Sequence, residues 1–210
     1  MVDILISGGP VMIPLGILSL AALAIILERL WVLRSKIYLD AGTVQTLSGL
    51  LAAGKYRGAV DYCRRHPGPF TELVVGLVEN RHAPYDELKE ILEDTGRLQL
   101  MGLQRGLPAL ATIVAGAPLL GLLGTVIGMI KIFAVVATAG SGITEQLSSG
   151  ISQALITTAT GLVIAIPALF THSYLEARAV GILSDIEAQI LDFLHFVRRP
   201  PEAGEVEDDV

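Results

Sequence analysis

Charge is scarce in this chain. Charged residues make up 17% of its 210 residues, against about 25% in a typical soluble domain. The shortfall is local. Ile4–Leu27, Gly106–Ile130 and Gln146–Thr171 contain no Asp, Glu, Lys or Arg, over 24, 25 and 26 residues. Roughly 20 apolar residues cross the hydrocarbon core of a bilayer. The missing charge therefore excludes a soluble enzyme. It predicts an all-α membrane protein with three transmembrane helices and long cytoplasmic helical extensions.

Other absences narrow the function. The single cysteine, Cys63, cannot form an internal disulfide and reads as a small buried or half-buried hydrophobe. Sustained period-two alternation and Asn-Gly or Asp-Gly turns are missing, so strands are not expected. His66, His82, His172 and His195 lack metal-ligand spacing, and no phosphate-cradling glycine motif is present. No catalytic residue, metal or cofactor is expected. With a net charge of −6 there is no basic excess of the kind nucleic acid requires. The three windows also lack any acid. A protein that carries protons through hydrocarbon normally needs an ionisable group there. The nearest titratable groups, Glu145 and His172, stand at the edges of the third window. Any titrating group deep in the membrane is expected to come from a partner.

Basic residues set the orientation. Arg29, Arg34 and Lys36 follow the first window, Arg97 and Arg105 precede the second, and Arg178 follows the third. The expected topology is N-out, C-in. Residues 1–27 form the external N-terminus and first span, and 28–105 a cytoplasmic helical section. Residues 106–130 form the second span, 131–145 a periplasmic loop and 146–175 the third span. Residues 176–210 form a cytoplasmic amphipathic helix and an acidic tail. The first window reads as a retained anchor: Asp3 and the absence of positive charge before it argue against a cleaved leader.

Within the cytoplasmic section, Leu47–Ala53 reads as a helix stopped by Gly54, and Ala59–Arg65 as one stopped by His66-Pro67-Gly68-Pro69. Phe70, Leu73, Val74, Leu77 and Val78 repeat at helical spacing. A further helix starts near Asp86 and can run unbroken into the second span. After the third span, Leu183, Ile186, Ile190, Leu194 and Val197 make one apolar face, with Asp185, Glu187 and Asp192 turned away.

The second span carries Gly121, Gly124 and Gly128, small residues that allow close helix approach. The third is unusually polar, with Ser148, Ser149, Ser152, Gln153, Thr157, Thr158 and Thr160. At about 100° per residue, Ser149, Gln153, Thr157 and Thr160 share a stripe about 80° wide, and Thr158 faces elsewhere. Such a stripe suits either interhelical hydrogen bonding or a polar conduit. Pro118 and Pro167 each remove a helix hydrogen bond, which allows a bend or a fixed kink.

Two runs carry a family resemblance. One is Ala117-Pro118-Leu119-Leu120-Gly121-Leu122-Leu123-Gly124-Thr125-Val126-Ile127-Gly128. The other runs from Gly150-Ile151-Ser152-Gln153 through Thr157-Thr158-Ala159-Thr160-Gly161 to Ala165-Ile166-Pro167. Their order and topology resemble the ExbB/TolQ/MotA proton-channel family over residues 10–197, most tightly over 115–170. Glu28-Arg29-Leu30-Trp31 is a weaker third match. Three spans fit the ExbB/TolQ branch, since MotA proteins have four.

The resemblance implies a homopentamer in a bacterial inner membrane, with a periplasmic N-terminus and a cytoplasmic C-terminus. The pentamer would surround two copies of an ExbD/TolR-like single-span protein with a membrane aspartate. Proton flow would drive a TonB/TolA-like protein spanning the periplasm, and so energise TonB-dependent uptake. TolQ-like envelope maintenance and a non-conducting scaffold are the alternatives. By the same resemblance Thr125 and Thr158 face the partner. Gln153 falls where ExbB and TolQ commonly have glutamate, and an amide cannot titrate. Gly121, Gly124, Gly128 and Gly161 are the expected packing positions.

Overall fold

The computed structural model describes residues 8–34, 38–138 and 144–198, without side-chain detail at 135–138 and 144–146. The acidic tail expected at the C-terminus and the centre of the connection between the second and third spans lie outside these residues. The described helices are α1 (Met12–Val32), α2 (Ala41–Ala52), α3 (Tyr56–Arg65), α4 (Pro69–Glu79), α5 (Tyr85–Leu103), α6 (Leu107–Thr138) and α7 (Thr144–Arg198). Among the described residues there is no strand. Three helices are long and apolar enough to cross a membrane: α1, α6 and α7.

The chain divides into two compact units. The first combines residues 1–32 with 105–176. Its centre is a cluster of Val11, Met12, Leu15, Ala117 and Ala165, with Leu18, Leu120 and Ile164 packed around it. Large apolar side chains also point outward, among them Leu20 on α1, Leu119 on α6, and Val163 and Phe170 on α7. A helix apolar all round belongs in lipid or among other apolar helices.

The second unit combines residues 33–104 with 177–210. Asp40 caps α2 by accepting from the Thr43 N–H at 3.2 Å. Gly54 ends the turn after α2 at φ +70°, a left-handed conformation that glycine adopts without penalty. Pro69 opens α4, where its missing N–H costs nothing. The predicted face of α4 is buried through Phe70, Leu73, Val74, Leu77 and Val78. The C-terminal part of α7 buries Leu183, Ile186, Ile190 and Val197 and exposes Asp185, Glu187 and Asp192. Phe193 of that helix meets Phe70 with ring centroids 5.7 Å apart.

One expectation is corrected. The helix starting near Asp86 does not run into the second span. It ends at Leu103, and the Gln104 N–H closes it on the Leu100 and Gly102 carbonyls. Gly106 then takes φ +83°, which a right-handed helix cannot accommodate, and α6 starts at Leu107. The third span and the amphipathic helix after it are one unbroken helix of 55 residues.

Candidate functional site

The polar and small residues of the second and third spans converge along one seam. On α6 the small residues are Ala117, Gly121, Gly124 and Gly128. On α7 they are Gly150, Ala154, Thr157 and Gly161. Both sets advance by four, three and four residues, and the helices run antiparallel. A side-chain carbon added at Gly161 would lie 2.6 Å from the Ala117 carbonyl oxygen. One at Gly121 would lie 3.0 Å from the Thr157 carbonyl oxygen and 3.1 Å from Thr158 Cα. One at Gly124 would collide with the Thr157 side chain, and one at Gly128 would lie 3.1 Å from the Gly150 carbonyl oxygen. The two backbones thus touch where only hydrogen fits. That is the contact mode of membrane helices, which gain little from burying apolar surface against apolar lipid.

The hydroxyls along this seam are donors already in use. Thr157 is fully buried and donates to the Ala154 carbonyl at 2.9 Å. Thr158 donates across the seam to the Gly121 carbonyl at 3.1 Å. Thr125 donates back to the Leu122 carbonyl at 2.6 Å, and Thr160 to the Ile156 carbonyl at 2.8 Å. Such bonds keep a hydroxyl satisfied in the absence of water. Thr125 and Thr158 are only half-buried. Each keeps lone pairs free to accept a bond from outside the chain. Thr125 follows one helical turn after Gly121, whose carbonyl Thr158 engages.

Gln153 occupies a different surface. Its Nε2 donates to the Gly8 carbonyl at 3.4 Å, in the turn ahead of α1. Gly9 beside it has φ +71°, and a side chain there would strike Nε2. The structure therefore brings Gln153 to the N-terminal turn and Thr158 to the seam, with Thr125 next in sequence to Gly124 of that seam. Pro118 and Pro167 lie inside α6 and α7 without interrupting either. His172 faces Glu176 at 3.9 Å. The side chain of Glu145 lies outside the described residues. Among those residues no group of His, Cys, Asp and Glu is placed to hold a metal.

Thr157, Ala154, Gly150 and Ala117 were not singled out from the sequence as packing positions. Their signal was present in the matching four-three-four spacing of small residues in both spans.

Known proteins resemble this chain over most of its length. The family model described as the MotA/TolQ/ExbB proton channel family matches residues 69–188. An ExbB-like biopolymer transport protein of Synechocystis sp. is 31% identical over 198 residues, covering 92% of this chain and 74% of that protein. A second ExbB-like protein of that organism is 30% identical over 207 residues, covering 93% and 96%. The Tol-Pal system protein TolQ of Pseudomonas aeruginosa is 30% identical over 191 residues, covering 83% of each chain.

Proposed function

The chain belongs to the MotA/TolQ/ExbB proton channel family, and from that premise we propose that it forms the channel of a proton-driven motor in a bacterial inner membrane. Five copies enclose the single spans of two copies of an ExbD/TolR-like partner that bears a membrane aspartate. The motor works on a TonB-like protein and energises uptake across the outer membrane. A TolQ-like role in envelope maintenance differs only in the partner served.

One observation carries this reading: half-exposed threonine oxygens beside a close-packed seam, in spans that hold no carboxylate. A protonated partner aspartate has an O–H to donate, and the free lone pairs of Thr125 and Thr158 accept it. Once ionised, the aspartate needs donors. Each hydroxyl must then rotate off its backbone carbonyl, Leu122 or Gly121, to supply one. The two protonation states thus ask for different hydroxyl orientations, which couples proton loss to a change of contact. Gln153 relays no proton and fastens the N-terminal turn. The driving force is about 2.3 kcal/mol per charge for each 100 mV of membrane potential.

Thr158→Val and Thr125→Val test this. Valine keeps the shape of threonine and removes the hydroxyl. A hydrogen bond to a charged group contributes about 1.5–3 kcal/mol, so proton-dependent function should fall at least about tenfold in each variant. Assembly, measured by native mass spectrometry, should be unchanged. Full function in both variants would overturn the conduit. The rival reading is a non-conducting scaffold, favoured by the glutamine at position 153. Repeated recovery of the assembly without any aspartate-bearing single-span protein would establish the scaffold instead.

A further inference from the structure

We propose that the inner end of the first span holds a phosphate group, bound between Arg29 and the N-terminus of α6. Arg29 stands in the last turn of α1 with only 7% of its side chain exposed. Its Nη2 donates to Glu28 Oε1 at 2.5 Å, and its buried Nε has no hydrogen-bond partner. A buried N–H of a cationic group left without an acceptor is costly, and native proteins rarely leave one so. The group beside it is an anion-binding element. Gly106 caps α6, its carbonyl accepting from the Leu110 N–H at 3.1 Å. The amides of Leu107 and Ala109, in the first turn of a 32-residue helix, have no acceptor within that helix. Amides there, with the helix dipole behind them, favour negative charge.

The two elements adjoin at a glycine. A side chain added at Gly106 would place its first carbon 3.8 Å from Arg29 Nε and 3.7 Å from Ile25 Cγ2. Both are ordinary contact distances, so there is room for about one carbon between Gly106 and the buried Nε. Depth in the membrane selects the ligand. Arg29 lies at the end of a span, two residues before the exposed Trp31, at the level of lipid headgroups. Arg105, exposed beside Gly106, adds positive charge. A phosphate oxygen pair fits the Nε–Nη2 edge of the guanidinium, which binds such groups bidentately. Glu28 is the competitor. It holds Nη2 alone and is 61% exposed, so it can swing into water as phosphate enters. The phosphate is that of an anionic inner-leaflet phospholipid or a free phosphate ion, which share this chemistry.

The test uses the full chain purified in its assembly, with native mass spectrometry in added phosphatidylglycerol and thermal unfolding in added inorganic phosphate. Phosphatidylglycerol binding that falls at least tenfold in Arg29→Gln and rises severalfold in Glu28→Gln establishes the site with a lipid occupant. Unchanged lipid binding, with stabilisation by inorganic phosphate that Arg29→Gln abolishes and Glu28→Gln strengthens, establishes it with the free ion. No response of either ligand to either variant overturns the proposal. Should Arg29→Gln fail to assemble, Glu28→Gln decides alone. Its binding of both ligands at wild-type strength would mean that a neighbouring chain's carboxylate meets Arg29, and would likewise overturn the site.

Discussion

Cys63 is 2% exposed and lies near the Glu72 carboxylate. Burial, assisted by that charge, pushes its thiol up from 9.0 to about 11. The thiolate is the reactive species. At pH 8 the folded protein should therefore react with iodoacetamide about a hundredfold more slowly than the unfolded chain, as followed by mass spectrometry. The sign for stability follows. Between the two values the unfolded chain has lost a proton that the folded one keeps. This contribution is thus complete below pH 9 and is lost as pH rises towards 11. Rapid labelling of the folded protein at pH 8 would contradict the buried placement. Burial of Cys63 was expected from its residue type. Its proximity to Glu72 was not, because nine residues of sequence separation do not say which side chains meet.

The seam between α6 and α7 belongs to the scale of elements. Steps of four and three average 3.5 residues, the repeat that keeps one stripe of a helix against its neighbour. The second span is apolar on all sides, and the polar residues of the third face more than one way, so hydrophobic periodicity does not locate their contact face. Residue size locates it instead. Gly161→Ala would force a methyl group to 2.6 Å from the Ala117 carbonyl oxygen. Backbone must move to relieve that, at about 1–3 kcal/mol for overpacking. Gly116 meets nothing within 4 Å. Thermal unfolding in detergent should place Gly161→Ala clearly below wild type and Gly116→Ala near it. Equal effects would mean that the helices do not pack along this seam. The break between α5 and α6 is an event of the same scale. The first helix ends at Leu103, and Gly106, the last of the three residues that follow, takes φ +83° and turns the chain into α6.

At the scale of the whole molecule, the three spans and the basic residues flanking them make this a multi-pass membrane protein with an expected orientation. Lys131, near the outer end of α6, should face the periplasm, and Glu93 on α5 the cytoplasm. Both side chains are exposed. In spheroplasts, Lys131→Cys should be labelled by an impermeant maleimide without lysis. Glu93→Cys should be labelled only after permeabilisation, and Cys63 contributes little background. The reverse pattern would invert the orientation and place the Arg29 site at the outer leaflet. The apolar exterior of the first unit, with Leu119, Val163 and Phe170 outward, requires lipid or further subunits around every copy.

Composition alone was enough to locate the spans, because transfer into hydrocarbon is a sum over residues and needs no knowledge of neighbours. Periodicity was enough for the buried face of α4 and most of that of the C-terminal part of α7, where polar residues mark the opposite side, although there Phe193 is buried and Leu194 only half-buried. Neither could say that Thr158 gives its proton to the Gly121 carbonyl, that Gln153 reaches back to Gly8, or that Arg29 is buried against Gly106. Each of these joins residues at least 37 positions apart. A helical repeat fixes the angle of a side chain about its own axis. The identity of the group it meets depends on how the helices pack, and in these spans that packing follows shape complementarity between small residues on different helices.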